Sequence, residues 1–196
     1  MKRLLLIFYR NPVIGGVKTR LAKTAGDEKA LAVYLFMAAH TRRLTENLLV
    51  DKRVYYSDFI DREDAWDNHS FQKFIQAGDD LGERMLNAFR EGYRDGYEAI
   101  SIIGTDCLEL TSSILASAFQ ELNQKDVVLG PAKDGGYYLL GMTRLWPEFF
   151  QGKAWSTSSV AKDTIRDCEQ LELSYSLLPV LQDVDEEADL PADFTI

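Results

Sequence analysis

Apolar residues run almost without a break through Leu4-Leu5-Leu6-Ile7-Phe8-Tyr9 and again through Ala99-Ile100-Ser101-Ile102-Ile103. Both runs are too short for a helix and lack the alternation of a half-exposed strand. They read as strands buried on both faces, as in a parallel sheet. Between them, Asp27 to Leu49 carries a helical pattern, with Leu31, Tyr34, Leu35, Ala38 and Leu48 available for a buried face. Val54 to Ser57 reads as a second strand and Phe71 to Ala77 as a third. Asp79 or Asp80 can cap a helix running to about Arg94, with Glu83 completing a capping box.

Beyond the second apolar run, Ser112 to Leu122 is an amphipathic helix and Asp126 to Pro131 a strand and turn. Tyr137 to Gly141 is a strand, Leu145 to Phe150 a short apolar helix, Val160 to Leu171 a helix capped by Ser158 or Ser159, and Ser174 to Pro179 a strand. Asp183 to Glu187 ends the ordered core, followed by a short tail from Ala188. Strands and helices alternate through most of the chain, which predicts an α/β fold with a mostly parallel sheet. Asp134-Gly135-Gly136 between two strands suits a hairpin, so the sheet is expected to be mixed, with one antiparallel strand.

A chain of 196 residues, 46% hydrophobic and 27% charged, fits one well-cored domain. Its net charge of -9 argues against a nucleic-acid polymer as partner. No apolar stretch approaches membrane-spanning length. Met1-Lys2-Arg3 before the first apolar run has the outline of a signal peptide, but that run is too short and Arg10-Asn11-Pro12 follows it. The two cysteines, Cys107 and Cys168, suit a reducing compartment. The expectation is a cytoplasmic protein that does not engage membranes.

Candidate chemistry gathers after the buried runs. The first is followed by Asn11-Pro12-Val13-Ile14-Gly15-Gly16-Val17-Lys18-Thr19-Arg20, read as a loop. Its glycines let backbone amides approach a ligand, and Lys18 and Arg20 supply charge suited to a di- or triphosphate. A surface loop with two solvated cations is the other reading. Neither the Walker spacing nor Gly-x-Gly-x-x-Gly is present. The second run stops at Gly104-Thr105-Asp106. Asp106 either stands where ligands of open α/β sheets bind, beyond the carboxyl end of a strand, or caps the helix near Ser112. Arg84 lies in the first turn of its helix, where the dipole disfavours a cation; a bound anion or an ion pair with Asp80 would explain it. His40 and His69 stand in poor settings for a catalytic base. Cys107 has no evident base and reads as buried and inert.

Several segments together carry a resemblance. They are Gly15-Gly16-Val17-Lys18-Thr19-Arg20, Asp80-Leu81-Gly82-Glu83-Arg84-Met85, Ile103-Gly104-Thr105-Asp106-Cys107, Gly130 to Gly141, Trp155-Ser156-Thr157 and Asp183-Val184-Asp185. The chain resembles the small bacterial glycosyltransferase-A-like nucleotide-diphospho-sugar transferases, some linked to arsenosugar biosynthesis. More distantly it is similar to the phospholactate and molybdenum-cofactor guanylyltransferases. Ile14, and Leu108 after Cys107, stand where the family usually has proline.

The resemblance implies one domain over residues 1–196, a three-layer α/β/α, Rossmann-like sandwich with a mostly parallel mixed sheet. It implies that Gly15, Gly16, Lys18, Arg20, Asp80, Arg84, Thr105 and Asp106 bind the nucleotide. Gly135, Gly136, Tyr137, Trp155 and Thr157 would line the acceptor side. Asp106 and Asp185 would hold Mg²⁺ or Mn²⁺, with Asp106, Asp134 and Lys18 as the catalytic set. Such chemistry is coherent, because a metal ion neutralises the diphosphate and needs only one or two protein carboxylates. The expected activity is glycosyl transfer from a nucleotide sugar to a small-molecule acceptor. The alternatives are nucleotidyl transfer from a nucleoside triphosphate to a phosphorylated acceptor, and a non-catalytic nucleotide-binding module.

Overall fold

The computed structural model describes residues 1–191 and 194. Its elements are β1 (Arg3–Tyr9), α1 (Thr19–Ala25), α2 (Asp27–Glu46), β2 (Asp51–Tyr56), β3 (Gln72–Ile75), α3 (Leu81–Arg94), β4 (Ala99–Ile103), α4 (Ser112–Glu121), β5 (Val127–Pro131), β6 (Tyr137–Met142), α5 (Val160–Gln170) and β7 (Tyr175–Leu177). Short 3-10 turns cover Pro147–Phe150 and Glu187–Asp189. The rest of the expected tail, residues 192, 193, 195 and 196, lies outside the described residues.

One sheet of seven strands runs in the order β3-β2-β1-β4-β6-β5-β7. β6 runs antiparallel to both β4 and β5, and the remaining pairings are parallel. The antiparallel strand is the one the Asp-Gly-Gly turn predicts. From β1 the chain builds β2 and β3 on one side, then returns to place β4 on the other. The carboxyl ends of β1 and β4 therefore flank a topological switch point, where open α/β sheets leave a crevice.

The buried runs explain the layering. On β1, Leu5, Ile7 and Tyr9 pack with Leu21, Val33, Tyr34, Met37, Leu115 and Phe119 from α1, α2 and α4. Leu4 and Leu6 point the opposite way, toward Met85, Phe89, Ala161 and Phe149 from α3, α5 and the first 3-10 turn. Period-2 alternation thus feeds two cores, and three layers follow.

Helix α3 starts as expected, with one shift. The Asp80 side chain accepts from Glu83 N at 2.8 Å, but the Glu83 carboxylate accepts from Asp79 N at 2.7 Å, one residue earlier than in a standard capping box. Other expectations need correction. Val17 to Arg20 is not all loop: α1 begins at Thr19, and Leu21 anchors it in the core. On α2, Leu35 is 45% exposed, while Val33, Met37 and Thr41 fill the core face. The segment Leu145 to Phe150 forms only a 3-10 turn because Pro147 opens it. Among the described residues no helix is long and apolar enough to cross a membrane.

Toward the amino end of the sheet, Arg53 of β2 is buried. Its Nη2 donates to Asp95 Oδ2 at 2.6 Å and its Nε to Gln72 Oε1 at 3.2 Å. The guanidinium lies 4.7 Å from the Phe74 ring centroid and 5.3 Å from that of Tyr97.

Candidate functional site

At the switch point a cleft of about 730 Å³ opens over the ends of β1 and β4. Its first wall is the segment between β1 and α1. Asn11 holds this segment down: it is buried, its Nδ2 donates to Phe59 O, and its Oδ1 accepts from Asp58 N. The Tyr34 hydroxyl both accepts from Arg10 N and donates to Arg10 O. A tight turn follows, with Gly16 N donating to Val13 O and Gly15 at φ 72°. Lys18 then adopts the left-handed conformation, φ 47° and ψ 46°, at the N-cap of α1. That conformation is unfavourable for a side-chain-bearing residue and turns Lys18 into the cleft.

The opposite wall is acidic. Gly104, Thr105 and Asp106 extend from β4 and line the cleft. Asp106 does not cap α4; Thr111 does, accepting from Ile114 N. Instead the Asp106 carbonyl accepts from Val184 N at 2.9 Å, which brings the Asp183-Val184-Asp185 segment alongside. Val184 is buried in the core, so Asp183 and Asp185 share the other side of an extended segment and line the cleft. The Lys18 ammonium lies 3.2 Å from Asp106 Oδ1 and 3.2 Å from Asp185 Oδ1, and Arg20 Nη1 lies 3.4 Å from Asp185 Oδ2. Lys18 is therefore not a solvated surface cation.

Asp183 completes the cluster. Burial, and then the charges of Asp106 and Asp134, push its pKa up from 3.8 to about 7. Its Oδ1 is buried without a hydrogen-bond partner. An orphaned carboxylate oxygen beside two further carboxylates is an all-oxygen donor set of the kind hard divalent cations take. Among the described residues, no group of three or more acidic, His or Cys side chains is placed to hold a metal ion by itself, so at most two of these carboxylates would share one. The arrangement fits an ion that keeps water or phosphate in its shell.

The third wall comes from the β5–β6 hairpin and the segment before α5. Asp134 Oδ1 accepts from Gly136 N at 2.8 Å, and Asp134, Gly136, Tyr137 and Tyr138 line the cleft. Burial raises the Tyr137 pKa, and its hydroxyl points at Met85 Sδ, 3.7 Å away. Trp155 lies against the first turn of α3: a Cβ on Gly82 would fall 2.3 Å from Trp155 Nε1. Thr157 Oγ1 donates to Ala154 O at 2.7 Å.

Most of the expected site residues meet at this one cleft: Lys18, Arg20, Asp80, Arg84, Thr105, Asp106, Asp134, Gly136, Tyr137, Trp155, Thr157 and Asp185. Gly15, Gly16 and Gly135 do not line it. Gly15 and Gly16 shape the turn, and Gly135 packs against the carbonyl of Ser158 at φ 90°. Arg84 makes no ion pair with Asp80; its Nε donates to Gly78 O at 3.0 Å. Cys107 is buried, donates to Gln182 O and has its pKa pushed up to about 12 by burial, so it is an inert thiol. Arg10, Ser57, Gln76 and Tyr138 line the cleft but are not among the expected site residues, and Asp183 enters the sequence reading only as part of its segment, without a role.

A family model described as an uncharacterized protein conserved in bacteria (DUF2064) matches residues 26–157. The chain belongs to the DUF2064 family. The matched segment holds Asp106, Asp134 and Trp155, whereas Lys18 and Asp185 fall on either side of it. A solved structure from Desulfovibrio desulfuricans G20, provisionally named a nucleotide-diphospho-sugar transferase, is 31% identical. It aligns over 95% of this DUF2064 chain and 84% of its own, with a TM-score of 0.87. The inositol-1-phosphate CTP transferase from T. maritima shares the fold at 14% identity, over 98% and 92% of the two chains, with a TM-score of 0.51. A CMP:2-keto-3-deoxy-manno-octonic acid synthetase complexed with CTP does so at 10% identity, over 96% and 95%, with a TM-score of 0.59. No curated protein matches the DUF2064 chain in sequence. The first two of these structural neighbours are named as transferases, and the DUF2064 chain shares their fold.

Proposed function

We propose that this DUF2064 protein is a metal-dependent transferase that moves a glycosyl group from a nucleotide-diphospho-sugar to a small-molecule acceptor. The observation that carries this reading is the pairing of cationic and acidic walls across the switch point. Arg10, Lys18, Arg20 and Arg84 line one cleft with Asp106, Asp183 and Asp185. The cations would bind a diphosphate through charge-assisted hydrogen bonds. Asp106 and Asp185 would hold Mg²⁺ or Mn²⁺, which when bound neutralises charge building on the departing nucleoside diphosphate. Arg20 and Arg84 would steady the same charge from the protein side.

The acceptor wall favours a sugar over a phosphate. A phosphorylated acceptor approaching a nucleotide phosphate needs cations of its own. The acceptor wall instead offers Tyr137, Tyr138, Trp155, Thr157 and Asp134. The two nearby lysines are not available: Lys153 is buried in an ion pair with Asp167, and Lys133 does not line the cleft. Nucleotidyl transfer stays the competing reading because the fold also serves the CTP-dependent neighbours.

Purified protein incubated with Mn²⁺ and a panel of nucleotide sugars and nucleoside triphosphates, with products read by ion-exchange chromatography, decides between them. Slow release of a nucleoside diphosphate from one nucleotide sugar is the expected result. Pyrophosphate release from a triphosphate on adding a phosphorylated acceptor, with every nucleotide sugar intact, would replace this reading with nucleotidyl transfer. If no nucleotide raises the melting temperature with metal present, both fall; a bound ligand at a hundredfold excess over its Kd adds about 2.7 kcal/mol.

A further inference from the structure

Lys18 stands in an unexpected place for a phosphate-binding cation. Its ammonium lines the cleft but is not free there. It bridges Asp106 Oδ1 and Asp185 Oδ1 at 3.2 Å each, and its side chain is only 7% exposed. These are the two carboxylates that the reading above gives to the divalent ion. An ammonium and a divalent cation compete for that gap: both are drawn to the facing Oδ1 atoms, and their charges repel. Without Lys18, the Asp106 and Asp185 carboxylates would face one another uncompensated.

We propose that Lys18 is an internal counter-ion that occupies the metal position in the substrate-free protein and transfers to the nucleotide phosphates when metal and substrate enter together. This proposal rests on the metal-dependent reading above. Lys18 forms no side-chain cap for α1, and its ammonium, on a four-carbon stem, has the two carboxylates as its polar partners. Arg20, already on Asp185 Oδ2, steadies that carboxylate as the ammonium leaves. The two carboxylates are 44% and 41% exposed, so an incoming ion reaches them from the cleft.

The consequence is coupling. Metal alone must displace Lys18 and leave its ammonium without a partner, so it binds weakly. Metal arriving with a diphosphate gives the ammonium a new anion, so the two ligands favour each other. Such coupling is reciprocal: whatever metal does for the diphosphate, the diphosphate does for metal.

The test uses the full-length protein, Mn²⁺ and inorganic pyrophosphate, followed by thermal melts and by electron paramagnetic resonance of free Mn²⁺. Lys18→Met is expected to bind Mn²⁺ alone about tenfold more tightly than the native chain, a change equivalent to about 1.4 kcal/mol. The order is expected to reverse with Mn²⁺ and pyrophosphate together, where the native chain shows the larger melting shift. Lys18→Arg, which keeps the charge, is expected to resemble the native chain toward Mn²⁺ alone and guards against a folding defect in the methionine variant. Unchanged or weaker Mn²⁺ binding by a folded Lys18→Met overturns the counter-ion role, while native binding of Mn²⁺ with pyrophosphate keeps the metal site. If neither chain binds Mn²⁺ under either condition, the metal-dependent reading and this proposal are both overturned.

Discussion

At the amino end of the sheet, buried Arg53 meets one carboxylate at 2.6 Å and rests between two aromatic rings. At the carboxyl end, buried Lys18 is divided between two carboxylates at 3.2 Å, with the orphaned oxygen of Asp183 close by. The first cluster sets one cation against one carboxylate and packs it on aromatic rings, so its charges balance without a ligand even though Arg53 Nη1 is buried without a partner. The second holds more acid than base, its contacts are longer, and its carboxylates remain open to the cleft. A buried cation is therefore not informative by itself. What distinguishes a structural pair from a site is whether the charges balance without a ligand.

The largest expected effect tests the unbalanced cluster. Asp106→Asn is expected to lower metal-dependent turnover by about 10²-fold or more, the scale of losing one preorganised group at a developing charge. Stability should move by less than about 1 kcal/mol, because Lys18 keeps Asp185. Steady-state kinetics beside a urea melt would read both. Full activity in the variant would return Asp106 to a purely structural place.

The balanced cluster should respond in the opposite sense. Arg53→Ala loses the ion pair, the contact with Gln72 and two cation–π contacts, and is expected to cost about 2–3 kcal/mol of stability. Mn²⁺ binding should be untouched, as calorimetry would show. Altered metal affinity would mean that the two ends of the sheet are not independent.

Asp183 sharpens the contrast through pH. In the folded, metal-free chain it titrates near 7, against 3.8 ordinarily. The folded state thus holds its proton more tightly, and stability falls as pH rises between those values. The penalty is absent below pH 4 and complete above pH 7. Asp183→Asn removes it, so with EDTA present the variant should gain on the order of 1–2 kcal/mol at pH 8 and nothing near pH 4. Denaturant melts at the two pH values check this; an equal effect at both would show that Asp183 carries no charge strain.

The smallest effect lies on the acceptor wall. In Gly82→Ala the new Cβ would meet Trp155 Nε1 at 2.3 Å and push the indole aside. A rise of roughly threefold in the KM for the acceptor, with the nucleotide KM unchanged, is expected. A matching rise for the nucleotide would place Trp155 on the other side of the cleft.

The layering was legible from two apolar runs, Leu4 to Tyr9 and Ala99 to Ile103, because burial on both faces leaves no alternation. The hairpin was legible from Asp134-Gly135-Gly136 and the α3 start from Asp80 and Glu83, all short-range chemistry. Helix α1 was missed because its single buried residue, Leu21, gives no periodicity. That Lys18 shares one site with Asp106 and Asp185 came only from the resemblance, and its ion pairs with both were not legible. Its partners lie 88 and 167 residues away in sequence, and only the strand order brings them together. Asp183 had no mark of its own, since its perturbation comes from burial and neighbours that no spacing rule reports.

The bond from Val184 N to the carbonyl of Asp106 ties the last acidic segment to the end of β4. It is reinforced nearby by Lys133 N donating to Leu181 O and by the bridge of Ala132 with Leu181. Until those contacts close, a chain with β1 to β6 already paired has its cations but lacks Asp183 and Asp185. Contacts so distant in sequence are the slow ones to form, because loop closure must come first. Competence would therefore arrive after the sheet, in a late docking step. In the finished protein the same segment would be the first to open, so amide exchange at Leu181 and Val184 would run ahead of exchange in β1 and β4.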